Sequence, residues 1–131
     1  VPAVIDDICR ALRACRLRFG DEIELQDGIE RLFQARGFLY EREAQLDEAG
    51  RVDFLVFGSG EVQAPSVAIG VEVKIKGSTA EVTRQLHRYA STGKLSGLVL
   101  ATTLMRHATQ LRMPSLGGVE FRSLYLSGSA F

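Results

Sequence analysis

The chain has 131 residues, a length suited to one domain around one hydrophobic core, and its 46% hydrophobic and 24% charged shares match a soluble globular protein rather than a disordered or fibrous one. Sixteen basic and sixteen acidic side chains cancel, so any argument for a nucleic-acid partner must come from where the charges sit. No apolar run approaches the roughly 18 residues that span a bilayer, and Asp6 and Asp7 stand where a signal peptide would carry bases, which predicts an intracellular, cytoplasmic protein.

From about residue 3 to 17, Val4, Ile5, Ile8, Leu12 and Cys15 recur at helical spacing, with Arg10, Arg13 and Arg16 on the polar side, a solvated face by default. Cys9 and Cys15 are six apart, about 600° of helical rotation, so they point away from each other and read as reduced packing residues. Gly20 breaks the pattern. Asp21 is placed to cap a second helix, whose apolar face is Leu25, Ile29, Leu32 and Phe33 and whose stop is Gly37. The period then changes to two. Phe38 to Leu46 and Arg51 to Phe57 read as strands around a polar turn, with Glu41 and Glu43 flanking Arg42 as expected surface pairs. A loop opens at Gly58-Ser59-Gly60 and runs to Ser66. It is no phosphate loop, because no helix follows it directly. Val67 to Ile75 is a β-branched strand, and Thr79 to Ala90 a helix capped by Ser78. Leu98 to Thr102 suits a strand buried on both faces. A short helix over Leu104 to Leu111, stopped near Pro114, and a strand from Glu120 to Leu126 complete one α/β domain with a mixed sheet flanked by helices.

Chemistry concentrates on two strands. In Val71-Glu72-Val73-Lys74-Ile75 the alternation puts Glu72 and Lys74 on one face and the aliphatic residues on the other. Alone, Glu-x-Lys is an ordinary strand ion pair worth under about 1 kcal/mol. Asp53, however, lies in the preceding strand among apolar neighbours, where its charge is costly without compensation. If the strands pair, Asp53 approaches Glu72, and two close carboxylates resist joint ionisation. A divalent cation relieves that repulsion. An oxygen-ligand site open to water and phosphate suits Mg2+ or Mn2+, and Lys74 adds a fixed positive charge beside the attacking water or the phosphate. Only His87 and His107 are available as imidazoles, too far apart in sequence for zinc-ligand spacing, and both read as surface or packing residues.

The order Arg51-Val52-Asp53, loop, Glu72-Val73-Lys74 resembles the PD-(D/E)xK nuclease superfamily, with Val52 in place of the usual proline. Gln85-Leu86-His87-Arg88-Tyr89 is similar to the Gln-x-x-x-Tyr helix of many members, and Glu22-Ile23-Glu24-Leu25-Gln26 resembles the opening of VRR-NUC domains. The likeness covers about residues 21 to 102. It leaves out the first helix and the last strand, which are open to an assembly role, including a homodimer sealed in part by the Ala130-Phe131 tail. It implies a restriction-endonuclease-like fold and metal-dependent hydrolysis of DNA, of the kind done by Holliday-junction resolvases and VRR-NUC enzymes. Asp53, Glu72 and the Val73 carbonyl would hold the metal, Lys74 would assist the water, and Gln85 would support the site or the substrate phosphate. A further acid is expected from the second helix. Glu22 fits the family opening and Glu30 is the alternative; they stand about 12 Å apart along the axis, so only one can reach the site. Arg84, Arg88 and Lys76 form a local basic excess for DNA backbone, against the simpler reading of a solvated helix face. A catalytically quiet DNA-binding protein of the same fold is the alternative function.

Overall fold

A computed structural model describes residues 2–18, 20–58, 67–110, 115–126 and 128–129. Gly58, where a loop was expected to open, instead ends a strand, while the rest of that loop (59–66), the stop near Pro114 and the Ala130-Phe131 tail lie outside those residues.

The elements run α1 (Pro2–Ala14), β1 (Leu17–Arg18), α2 (Glu22–Ala35), β2 (Leu39–Gln45), β3 (Arg51–Gly58), β4 (Ile69–Lys74), α3 (Thr79–Ala90), β5 (Gly97–Thr102), α4 (Met105–Gln110), β6 (Ser115–Leu116), β7 (Val119–Tyr125) and β8 (Gly128–Ser129). The first helix stops at Ala14, short of the expected 17. Leu17 and Arg18 instead pair in parallel with Gly128 and Ser129. A two-residue strand whose partner lies at the far end of the chain has no local periodicity to betray it.

Six strands form one mixed sheet in the order β2-β3-β4-β5-β7-β6. β2, β3 and β4 are antiparallel neighbours, while β4, β5 and β7 run parallel. The two parallel steps enclose α3 and α4 as crossovers, as parallel pairing requires. The helix ends follow local chemistry. Asp21 accepts from Glu24 N and Ser78 from Glu81 N, while Gly37 takes the positive φ that ends α2.

Two apolar clusters lie on opposite faces of the sheet. One joins α1 and α2 to the face carrying Ile69, Val71 and Val73; the other joins α3 to Leu98, Leu100 and Phe121. The α1 stripe of Val4, Ile5, Ile8 and Leu12 is therefore used within the chain's own core and is not left over for assembly. α1 sits close: a Cβ at Gly97 would lie 2.9 Å from Ile69 Cδ1 and 3.1 Å from Ile5 Cδ1. β5, buried along its whole length, is the doubly covered strand its composition predicted.

The pleat changes phase in β2 and β3. Phe38 and Tyr40 pack in the α1–α2 cluster, but Ala44 and Leu46, of the same parity, pack in the α3 cluster. In β3, Phe54 and Val56 belong to the first cluster and Val52 to the second. Between the two sets lies Glu43, a non-glycine residue at φ +53°, which is uncommon and locally strained for such a side chain. Asp53 sits at the matching point of β3.

Candidate active site

The β3–β4 ladder covers Phe54↔Val71, Leu55↔Gly70 and Val56↔Ile69. Continued by one pair, that register sets Asp53 opposite Glu72. Here side chains bridge the strands instead. Asp53 N donates to Glu72 Oε1 at 3.2 Å, and Val73 N donates to Asp53 Oδ2 at 2.7 Å. In a strand the N–H and C=O of one residue point to the same side. The Val73 carbonyl is therefore turned toward the Asp53 carboxylate. Lys74 Nζ lies 3.6 Å from Glu72 Oε2. Asp53, Glu72, Val73 and Lys74 thus meet where the phase break parts the two strands.

The acids sit in an unfavourable environment for charge. Burial pushes the Asp53 carboxyl up to about 6, with Glu22 and Glu43 adding to the rise and the Val73 N–H and Lys74 opposing it. Burial, then the Asp53 charge, pushes Glu72 up to about 8 against the pull of Lys74 and the Asp53 N–H. Glu72 is only 2% exposed.

Of the two α2 acids, Glu22 is the one that faces this pair. Its charge acts on both Asp53 and Glu72, and its Oε1 is buried without a hydrogen-bond partner among the described residues. Glu30 belongs elsewhere. It accepts from Tyr40 Oη at 2.7 Å and from Arg42 Nη1 at 2.9 Å, and these bonds hold its carboxyl below the ordinary value. Arg42 also binds Asp27 and Gln26 and lies over the Phe54 ring. The expected pairing of Arg42 with Glu41 and Glu43 is thus replaced by bonds across to α2. Arg42 points to the α1–α2 side of the sheet, where three α2 side chains meet it. Glu43, released from that pairing, is an acid that sequence reasoning did not place beside Asp53. Its period-two pattern gave no sign of the positive φ at this point of β2, level with Asp53.

Gln85 acts at one remove. Its Nε2 donates to Tyr89 Oη at 2.8 Å, and Tyr89 Oη donates to the Arg51 carbonyl at 2.7 Å. The Gln-x-x-x-Tyr pair thereby ties α3 to the start of β3, two residues from Asp53. Burial, then the charges of Glu72 and Asp53, keep the Tyr89 hydroxyl protonated. Val82 and Leu86, at helical spacing with Tyr89, are buried with it on α3.

Beside Lys74 opens a cavity of about 290 Å3 whose walls include Lys76, Glu81, Arg84, Gln85 and Arg88. The expected basic side chains are therefore gathered in one place that shares Lys74 with the acid pair. His87 is exposed. His107 is fully buried, with the Gly77 backbone nearby but outside hydrogen-bond geometry, and burial lowers its pKa, as for a packing residue.

The donors present fit a hard divalent cation: Asp53 Oδ1, free of the Val73 bond, Glu72 Oε2 and the Val73 carbonyl are all oxygens. Among the described residues no three His, Cys, Asp or Glu side chains form a ready-made shell. The fit therefore rests on two carboxylates and a main-chain oxygen with the remaining positions left to water and substrate. In comparisons with known proteins, no family model, curated protein or solved structure matches the chain. Among the described residues no helix is long and apolar enough to cross a membrane.

Proposed function

We propose that this chain is a Mg2+- or Mn2+-dependent phosphodiesterase that hydrolyses DNA, with a restriction-endonuclease-like core formed by α2-β2-β3-β4-α3-β5. The observation that carries the reading is the convergence of Asp53, Glu72 and Lys74 at the parting of two strands, next to a cationic cavity. A buried acid pair that resists ionisation is a poor structural device, and it is well matched to a divalent ion. Bound there, the ion would lower the pKa of an attacking water and neutralise charge building on the phosphate. The chain's own groups supply the rest. Lys74 sets a positive charge between the acids and the cavity, Arg84, Arg88 and Lys76 grip the phosphate backbone, and Tyr89 with Gln85 fixes the strand that carries Asp53.

The alternative, a DNA-binding protein without catalysis, is favoured by the cavity alone, since its exposed cations need no acid pair to hold phosphate. Incubating purified protein with labelled duplex, nicked, flapped and branched DNA in Mg2+, Mn2+ or EDTA separates the two. Cleavage in metal, silence in EDTA and loss in Lys74→Ala with DNA affinity retained support the hydrolase. Equal cleavage in EDTA refutes the two-carboxylate mechanism, and binding without cleavage of any form gives the alternative.

A further inference from the structure

Resting on the phosphodiesterase reading, we infer that Arg106 is a positioning residue of the DNA site: from α4 it holds the Gly77 turn, and so the place of Lys76 in the wall of the cavity beside Lys74.

Lys76 reaches the cavity from the short segment between β4 and α3, and Gly77 lines the wall next to it. Both residues are exposed. Gly77 has a φ of +109°, a conformation that glycine adopts readily and other residues rarely. Little packing steadies the turn. Beyond its chain neighbours, a Cβ built at Gly77 would meet only Val82 Cγ2, at 4.0 Å. Glycine also loses more conformational freedom on ordering than any other residue. A lysine beside such a turn holds one place only if something ties the turn down.

Arg106 supplies that tie. Its Nη2 donates to the Gly77 carbonyl at 2.9 Å, a charge-assisted bond reaching 29 positions back along the chain. The base from which it reaches is itself anchored. Leu104 N donates to Thr102 Oγ1 at 3.0 Å, Thr103 N to the Lys74 carbonyl at 3.2 Å, and Ser123 Oγ to the Ala108 carbonyl at 3.2 Å. His107, the next residue, is fully buried, and its ring nitrogens have no hydrogen-bond partner among the described residues. It fixes α4 by packing, and Arg106 makes the polar contact with the turn. The two segments so joined leave the carboxyl ends of the neighbouring parallel strands β4 and β5, the edge at which open α/β sheets hold their ligands. Gly77 is part of the cavity wall and Arg106 is not. The guanidinium therefore acts on the cavity through the turn and not by lining it.

The test is binding in EDTA, where cleavage does not interfere, using the full chain and the tightest-bound of duplex, nicked, flapped and branched fluorescent DNA. Arg106→Ala should weaken binding about three- to tenfold, the effect of one hydrogen bond made by a charged group at an exposed site. The urea midpoint should be kept, since the side chain is exposed and alanine suits a helix. Lys76→Ala should weaken binding and lower the slope of log affinity against log salt by about one phosphate contact. In the Lys76→Ala background, Arg106→Ala should add less than about a twofold loss and no further change of slope, because the lysine that the tie places is gone. Losses that multiply in the double variant mean that Arg106 meets DNA on its own account, and overturn the inference. Unchanged binding in Arg106→Ala overturns it too, whether or not the urea midpoint falls, by leaving a purely structural bond. Metal-dependent cleavage tests the hydrolase reading separately. DNA bound but never cut removes that reading and leaves the role of Arg106 in binding standing, whereas a wild-type chain that binds no DNA removes both.

Discussion

Replacing Glu72 by glutamine should make the metal-free protein more stable at alkaline pH. The Glu72 carboxyl rises from an ordinary value of 4.5 to about 8 in the fold, because burial and the Asp53 charge disfavour its ionised form. Between those two values the folded state holds a proton that the unfolded chain has released. Stability therefore falls as pH climbs from the lower value through the higher, the opposite of the behaviour of a salt-bridged carboxylate. An interval of roughly three and a half units, at about 1.36 kcal/mol each, sets a ceiling of about 5 kcal/mol. The side chain is 3% exposed, so solvent screens little of it. Glutamine keeps an oxygen to accept from Asp53 N but removes the partner of Lys74, so the expected net gain is about 2–3 kcal/mol at about pH 8 and near zero at about pH 5. Urea unfolding of wild type and Glu72→Gln in EDTA across that range measures it. A variant less stable than wild type at the alkaline end, or a difference that does not change with pH, refutes the reasoning. Mn2+ added at the alkaline end should raise the wild-type midpoint and leave that of Glu72→Gln unmoved.

Glu22→Gln and Glu30→Gln should behave as different kinds of mutant. The first should lower cleavage at limiting Mg2+ with little change in the urea midpoint; the second should leave cleavage near wild type and cost about 1 kcal/mol of stability, since it weakens bonds to Tyr40 and Arg42 at a partly exposed site. The reverse order would return the active-site role to Glu30. Tyr89→Phe removes the hydroxyl that satisfies the Arg51 carbonyl and should cost about 1–2 kcal/mol by urea unfolding, together with a fall in kcat at unchanged KM. Stability lost with kcat intact would reduce the Gln85–Tyr89 pair to a purely structural tie.

The order of the main elements was legible because each signal is local. Apolar spacing marked α2 and α3, Asp21 and Ser78 marked their starts, and the unbroken run Leu98 to Thr102 marked a strand with no polar face. The alternation around Glu72 and Lys74 also placed both on the face opposite Val71 and Val73, as observed. Features fixed by distant partners were not legible. β1 exists only because β8 meets it, and Arg42 turns to α2 because Asp27, Gln26 and Glu30 lie across from it, not because of its neighbours in sequence. The choice between Glu22 and Glu30 was of the same kind. Helical spacing puts both near one face, and only the tertiary position of Tyr40 and Arg42 shows that Glu30 is bonded there.

The placement of Glu43 shows why an acidic site can arise where the strand pattern looks unremarkable. A regular β2 would keep one parity on one face throughout, and Glu43 would follow Glu41 on the face opposite Arg42. The positive φ at Glu43 breaks that rule, so that Ala44 and Leu46 cross to the α3 cluster while Tyr40 and Arg42 stay with α2. β3 changes phase at the same level, since Val52 and Phe54 pack in different clusters. Both strands can satisfy two cores only by bending together, and the bend parts β3 from β4 at the point where their ladder gives way to the carboxylates of Asp53 and Glu72. Strain at Glu43 and the burial of the Asp53–Glu72 acid pair are thus two costs of one distortion, both carried by the apolar clusters on either side of the sheet. A cation bound at the acids would relieve the second cost and leave the first, so the bend itself should persist with or without metal.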